Sequence, residues 1–126
     1  MRREVLRAKL HRARVTRRDI DYEGSLTLDP VLIEALAAWP HEAIEIYDIT
    51  NGARFKTYLI PGARGSGEAC INGAAARLVK EGDLIIVAAY ATRDEAEGPP
   101  PPPIVVLVDE RNRVREIRRG SGSPAP

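Results

Sequence analysis

The sequence predicts a mainly β chain, a small barrel with short helices, and three observations carry that expectation. Apolar residues alternate with charged ones in short runs. Two continuous apolar runs, LIIVAAY and IVVLV, are too short for globular helices and the right length for strands. Turn-forming residues separate these runs at close intervals, and only two brief stretches read as helix, which fits a β-rich barrel and not an alternating α/β sheet. A chain of 126 residues, 44% hydrophobic, suffices for one core. One domain is expected over residues 1–118, with a disordered tail over 119–126, where the chain ends GSGSPAP.

Within LRAKLHR, Leu6, Ala8 and Leu10 alternate with Arg7, Lys9 and His11, so a half-buried strand should carry Lys9 and His11 on its polar face. LDPVLIEALAAW reads as a short helix with Asp29 as N-cap, Pro30 at the first helical position and Pro40 stopping it. AIEIYDIT and ARFKTYLI flank Asn51-Gly52, a pair favoured in two-residue hairpin turns because both central residues need positive φ. In the second strand Arg54, Lys56 and Tyr58 point one way, and Phe55, Thr57 and Leu59 the other. A site using both Thr57 and Tyr58 therefore needs a bulge, a strand end or backbone contacts.

GARGSG lacks the Lys-Ser/Thr ending of a nucleotide-binding loop and reads as a flexible connection. INGAAARLVKEGD suggests a brief helix opened by Asn72 and Gly73 and ended near Gly82, whose first amides lack intrahelical partners and can receive an anion. LIIVAAY and IVVLV are expected as strands buried on both faces, and DERNR turns the latter back into VREI. The prolines of GPPPPP, residues 98–103, donate no ladder hydrogen bonds, so that segment is an extended connector.

Composition narrows the function. There is no run of about 18 apolar residues for a membrane span, and the Arg-rich start lacks the apolar segment and cleavage site of a secretory signal, so the cytoplasm is the expected compartment. Cys70 has no second cysteine to pair with, and with only His11 and His41 beside it makes no zinc set, so no metal is expected. The formal charge of +1 conceals eight Lys or Arg against Glu4 alone in residues 1–18. Such an arm can bind nucleic acid by counterion release, although no aromatic residue is interleaved before Tyr22. Arginine outnumbers lysine 16 to 3, which favours bidentate carboxylate recognition wherever an arginine sits in a pocket.

Taken in order, KLHRARVT, DYEGSLTLD, ITNGARFKTYLI, ARGSG, INGAAA and GDLIIVAAYAT resemble the pyruvoyl-dependent aspartate decarboxylases, which process themselves and make β-alanine for pantothenate synthesis. Tyr47 departs from this pattern, standing where many relatives carry tryptophan. The resemblance implies a double-psi β-barrel, a homotetramer with active sites between subunits, and self-cleavage between Gly24 and Ser25, with the glycine accommodating a strained turn. Ser25 would become a covalent pyruvoyl group that forms a Schiff base with L-aspartate, so no pyridoxal phosphate or other coenzyme is implied.

The same resemblance nominates Thr57 as donor to the oxyanion during processing and Tyr58 as the proton donor in turnover. Lys9, Arg54 and Thr57, with the amides of Asn72, Gly73, Ala74 and Ala75, would bind the substrate, and His11 would assist maturation or orient a proton donor. On position alone each has a plainer reading: Tyr58 as packing, Arg54 as a solvated charge, Asn72 as a helix cap and Ser25 as a turn residue. Two other functions stay open at this point. One is a noncatalytic barrel binding nucleic acid through its basic arm, and the other is pyruvoyl decarboxylation of a different amino acid.

Overall fold

The computed structural model describes residues 1–119, so the expected tail lies, apart from Arg119, outside the described residues. Among these residues the strands are β1 (Arg2–Arg14), β2 (Arg17–Asp19), β3 (Ser25–Leu28), β4 (Ala43–Asp48), β5 (Arg54–Pro61), β6 (Ala69–Asn72), β7 (Leu84–Asp94), β8 (Ile104–Val108) and β9 (Val114–Arg118). One α-helix, α1 (Pro30–Ala35), and 3₁₀ turns at Gly73–Leu78 and Glu95–Glu97 complete the secondary structure. None of the described helices is long and apolar enough to cross a membrane.

Hydrogen bonds order the strands β2-β6-β3-β5-β4-β7-β1-β8-β9. The β1–β8, β2–β6 and β3–β5 pairs are parallel and the others antiparallel, so strands far apart in sequence interlace into the barrel-like fold that the β-rich pattern predicts. Period-two alternation sends one face of each strand inward: Ala8 and Leu10 from β1, Leu26 and Leu28 from β3, Ile44 and Ile46 from β4, and Leu59 from β5 are all buried. In β1 the register shifts at Arg7 and Arg12, and Arg12 has φ 68°, so the bulge after His11 returns Ala13 to the core.

Two turns differ from expectation. Helix α1 starts as predicted, with the Asp29 carboxylate accepting from Val31 N at 2.9 Å and Pro30 at the first position. It ends at Ala35, well before Pro40, because Ala37 adopts φ 54° and its N–H bonds to Glu34 O while Ala38 N–H bonds to Ile33 O. This is a Schellman closure with alanine in the left-handed position, and the Arg7 guanidinium donates to the freed Leu36 carbonyl at 2.9 Å. The β4–β5 hairpin, in turn, does not use a two-residue turn. Only Gly52 of the Asn51-Gly52 pair has positive φ. The Asp48 carboxylate accepts from Thr50 N and Asn51 N, and Gly52 N bonds to Asp48 O, making a longer loop organised by one aspartate.

The glycine-rich loop after β5 is tied down by the residue that caps α1. Buried Asp29 also accepts from Gly65 N at 3.0 Å and Gly67 N at 2.8 Å. Burial opposes ionisation of this carboxylate, but the bonds from Gly67, Val31 and Gly65, together with Arg113, outweigh it and hold the pKa below its usual 3.8. The stabilisation is thus complete above the unfolded pKa and lost as pH falls through the folded one. Asp29→Ala is expected to lower unfolding free energy at pH 7 by about 2–4 kcal/mol, because three amide donors lose their acceptor. Urea titrations across pH check this: the gap between the two proteins should narrow below pH 3.8.

Candidate active site

The loop before β3 delivers Ser25 to the first position of that strand, where it is buried opposite Asn72 in the antiparallel β3–β6 ladder. Ser25 Oγ donates to Glu23 O at 2.9 Å and accepts from Asn72 Nδ2 at 2.9 Å. Asn72 Nδ2 also donates to Thr27 Oγ1 at 2.8 Å, and its Oδ1 accepts from Cys70 Sγ at 3.2 Å. Asn72 stands at the N-cap position of the short helix expected here, but its side chain makes no cap bond and spans β6 and β3 instead. The segment after it is a 3₁₀ turn that ends at Leu78, and Arg18 donates to the Ala76 and Val79 carbonyls at its close. Of the alanines expected to offer amides, Ala74 is exposed and Ala75 half-buried.

Glycine is required here at position 73 and not, for its conformation, at 24. Gly24 does not have positive φ, and a Cβ built on it comes no closer than 3.9 Å to Asn72 O. Gly73 has φ 79°, and a Cβ there would lie 2.6 Å from Gly24 Cα and 2.8 Å from Gly24 N. The Gly24 backbone therefore rests directly against a residue that only glycine fits.

Strand register places the remaining candidates. The parallel β3–β5 ladder pairs Leu26 with Leu59, so Ser25 and Tyr58 are the residues that directly precede its first pair. The β4–β5 ladder has no register shift, so Thr57 and Tyr58 project to opposite faces and no bulge reconciles them. Tyr58 stacks against His41 with ring centroids 6.1 Å apart. On the outer face, cross-strand pairs form rows: Arg54–Tyr47–Ile86–His11, and Lys56–Glu45–Ala88–Lys9. Lys9 and His11 thus share a face with Arg54 and Tyr58, as the alternation predicts, but β7, β4 and β5 separate them from β3. Lys9 and Ser25 thus lie four strands apart in the hydrogen-bonded order of the sheet.

Electrostatics mark two groups on this face. His11 is half-buried with no hydrogen-bond partner for Nδ1 among the described residues; burial, then Lys9, Arg12 and Arg118, lower its pKa and favour the neutral imidazole. Tyr47 is pushed up to about 12 by burial and by its bond to Tyr90, so it remains a neutral phenol. Sequence reasoning passed over Thr27, Cys70 and Tyr90. Thr27 and Cys70 lie two residues from Ser25 and Asn72 and so share their face, a signal that was available; Tyr90 meets Tyr47 across 43 residues with no local sign.

The chain is thus a small, mainly β, barrel-like protein in which Ser25, the first residue of β3, is held by an asparagine side chain and its preceding glycine is pressed on a second glycine. The aspartate decarboxylase family model matches residues 1–115. The chain is 54% identical over 113 residues to aspartate 1-decarboxylase of Syntrophobacter fumaroxidans, covering 90% of this chain and 91% of the relative. The corresponding proteins of Pelotomaculum thermopropionicum and Syntrophus aciditrophicus are each 49% identical, over 92% and 91% of this chain and 88% and 99% of their own lengths. The chain belongs to the aspartate decarboxylase family and is an enzyme of that type.

The Gly24–Gly73 contact yields a direct test. Gly73→Ala is expected to cost about 1–3 kcal/mol of stability, from the left-handed φ alone, and urea denaturation measures it. Gly24→Ala, where a Cβ has room, should cost less.

Proposed function

We propose that the chain cleaves itself between Gly24 and Ser25, and that the product decarboxylates L-aspartate to β-alanine and CO2 in the cytoplasm, supplying pantothenate synthesis. The observation that carries this reading is the arrest of Ser25 Oγ by Asn72 beside a Gly24 backbone seated on Gly73. In cleavage, Ser25 Oγ attacks the Gly24 carbonyl carbon and the peptide C–N bond breaks, leaving an ester and a free amine at residue 25. Thr57, on the strand that pairs with β3, is the proposed donor to the oxyanion of this step. Loss of the Ser25 Cα proton then expels the Gly24 carboxylate, and water replaces the nitrogen of residue 25, released as ammonia, to leave a ketone.

The surroundings of position 25 fit such a group: the site is buried, faced by an amide donor, and preceded by Gly24, which packs on Gly73. A pyruvoyl group supplies the electron sink that loss of an α-carboxylate needs, without pyridoxal phosphate. Tyr58, beside residue 25 by register, holds the proton delivered to the carbon that loses CO2. Arg54, on the same face of β5, anchors a substrate carboxylate through its planar fork, and the Asn72–Ala75 amides lie next to the reacting position. Lys9 and His11 lie across the sheet, which supports a homotetramer in which a neighbouring subunit brings them to Ser25.

Intact mass of purified protein should show chains of residues 1–24 and 25–126, and Ser25→Ala should remain uncut and release no CO2. Tyr58→Phe should cleave normally yet turn over about 10²- to 10⁴-fold more slowly. A substrate panel and a salt-dependent duplex-binding assay decide the competing functions: faster turnover of another amino acid reassigns the substrate, and tight binding of DNA by an uncut, inactive chain would replace catalysis with nucleic-acid recognition.

A further inference from the structure

The outer face of the sheet carries an aromatic assembly that the proposed chemistry does not itself require. The Arg54 guanidinium carbon lies 3.9 Å above the centre of the Tyr47 ring, its cross-strand partner on β4. The Tyr47 hydroxyl is hydrogen bonded at 2.7 Å to the hydroxyl of Tyr90, which projects from β7. Ala88 lies between them on the same face of β7, so no side chain obstructs the reach of the two phenols. Arg54 has no ion pair among the described residues, and its guanidinium is otherwise exposed. A long side chain at the open end of a strand has many rotamers, and ordering it for a ligand costs entropy. A ring fixed at its hydroxyl end removes part of that freedom before the ligand arrives.

We infer that Tyr47 and Tyr90 are positioning residues: Tyr90 holds the Tyr47 ring, and the ring holds Arg54 ready for a substrate carboxylate. This rests on the proposed role of Arg54 and names what sets its affinity. Neither phenol is assigned a proton transfer. Tyr47 offers both a π face to Arg54 and a hydroxyl that Tyr90 on β7 grips.

Succinate, a dicarboxylate that cannot undergo the reaction, serves as the probe, with its Kd measured by calorimetry on the matured protein. Tyr90→Phe should raise the succinate Kd and the aspartate KM by about three- to tenfold with kcat within twofold. Tyr47→Leu should raise Kd by more than tenfold, whereas Tyr47→Trp, which retains a π face but loses the hydroxyl that Tyr90 grips, should raise it about as much as Tyr90→Phe does. The double variant Tyr47→Phe with Tyr90→Phe should be no weaker than either single one, since the hydroxyls act as one bond. Unchanged Kd in Tyr90→Phe, equal losses for Leu and Trp at 47, additive losses in the double variant, or no binding of succinate by the unaltered protein overturns the inference. Release of CO2 from aspartate by the unaltered protein is scored separately, so failure of the functional reading is distinguishable from failure of this one.

Discussion

Asn72 is the point on which the site turns. Its side-chain amide is buried and has two N–H groups and one carbonyl to satisfy, and three neighbours do so: Ser25 and Thr27 accept, and Cys70 donates. An unsatisfied amide in that place would carry a full desolvation cost, so the three bonds stand or fall together with the β3–β6 pairing. Because Asn72 directly precedes Gly73, the same residue that orients the Ser25 hydroxyl also delivers the one backbone position able to lie against Gly24. The Ser25 hydroxyl and the Gly24 backbone are thereby indexed to a single strand end.

The rest of the fold keeps that end still. β6 is held between β3 and β2, and Thr16 exchanges bonds with the Ala69 backbone where the strand begins. On the other side of β3, Asp29 gathers the start of α1 and the Gly62–Gly67 loop onto one carboxylate. These are polar devices at the barrel's rim, and the apolar interior of Leu26, Leu28, Leu59 and Ile71 lies directly beneath them. Close packing and directed hydrogen bonds hold Ser25 in place.

The outer face has a different character. Arg54, Tyr47, Glu45, Lys9 and His11 form cross-strand rows on it, and β7, β4 and β5 stand between β1 and the strand that carries Ser25. The lowered basicity of His11, surrounded by Lys9, Arg12 and Arg118, would suit it to a dry contact better than to a solvated one.

Local patterns in the chain were enough for the strands, because period-two alternation and short apolar runs are consequences of nearest-neighbour geometry and a single inner face. The Asp29–Pro30 helix start was legible for the same reason, as were the faces of Lys9, His11, Arg54 and Tyr58. The family match rested on ordered motifs and marked Gly24–Ser25, which no periodicity singles out. What the tertiary structure alone decided were contacts between residues distant in sequence. Ala37 and not Pro40 ends the helix because a left-handed residue and Arg7 close it first; Asp48 converts the Asn51-Gly52 turn into a longer loop; Asn72 leaves its helix for Ser25, 47 residues away. Side-chain hydrogen bonds of that kind are chosen by whichever partner the folded backbone brings within about 3 Å, and that depends on the order of strands around the barrel, which no short stretch of the chain encodes.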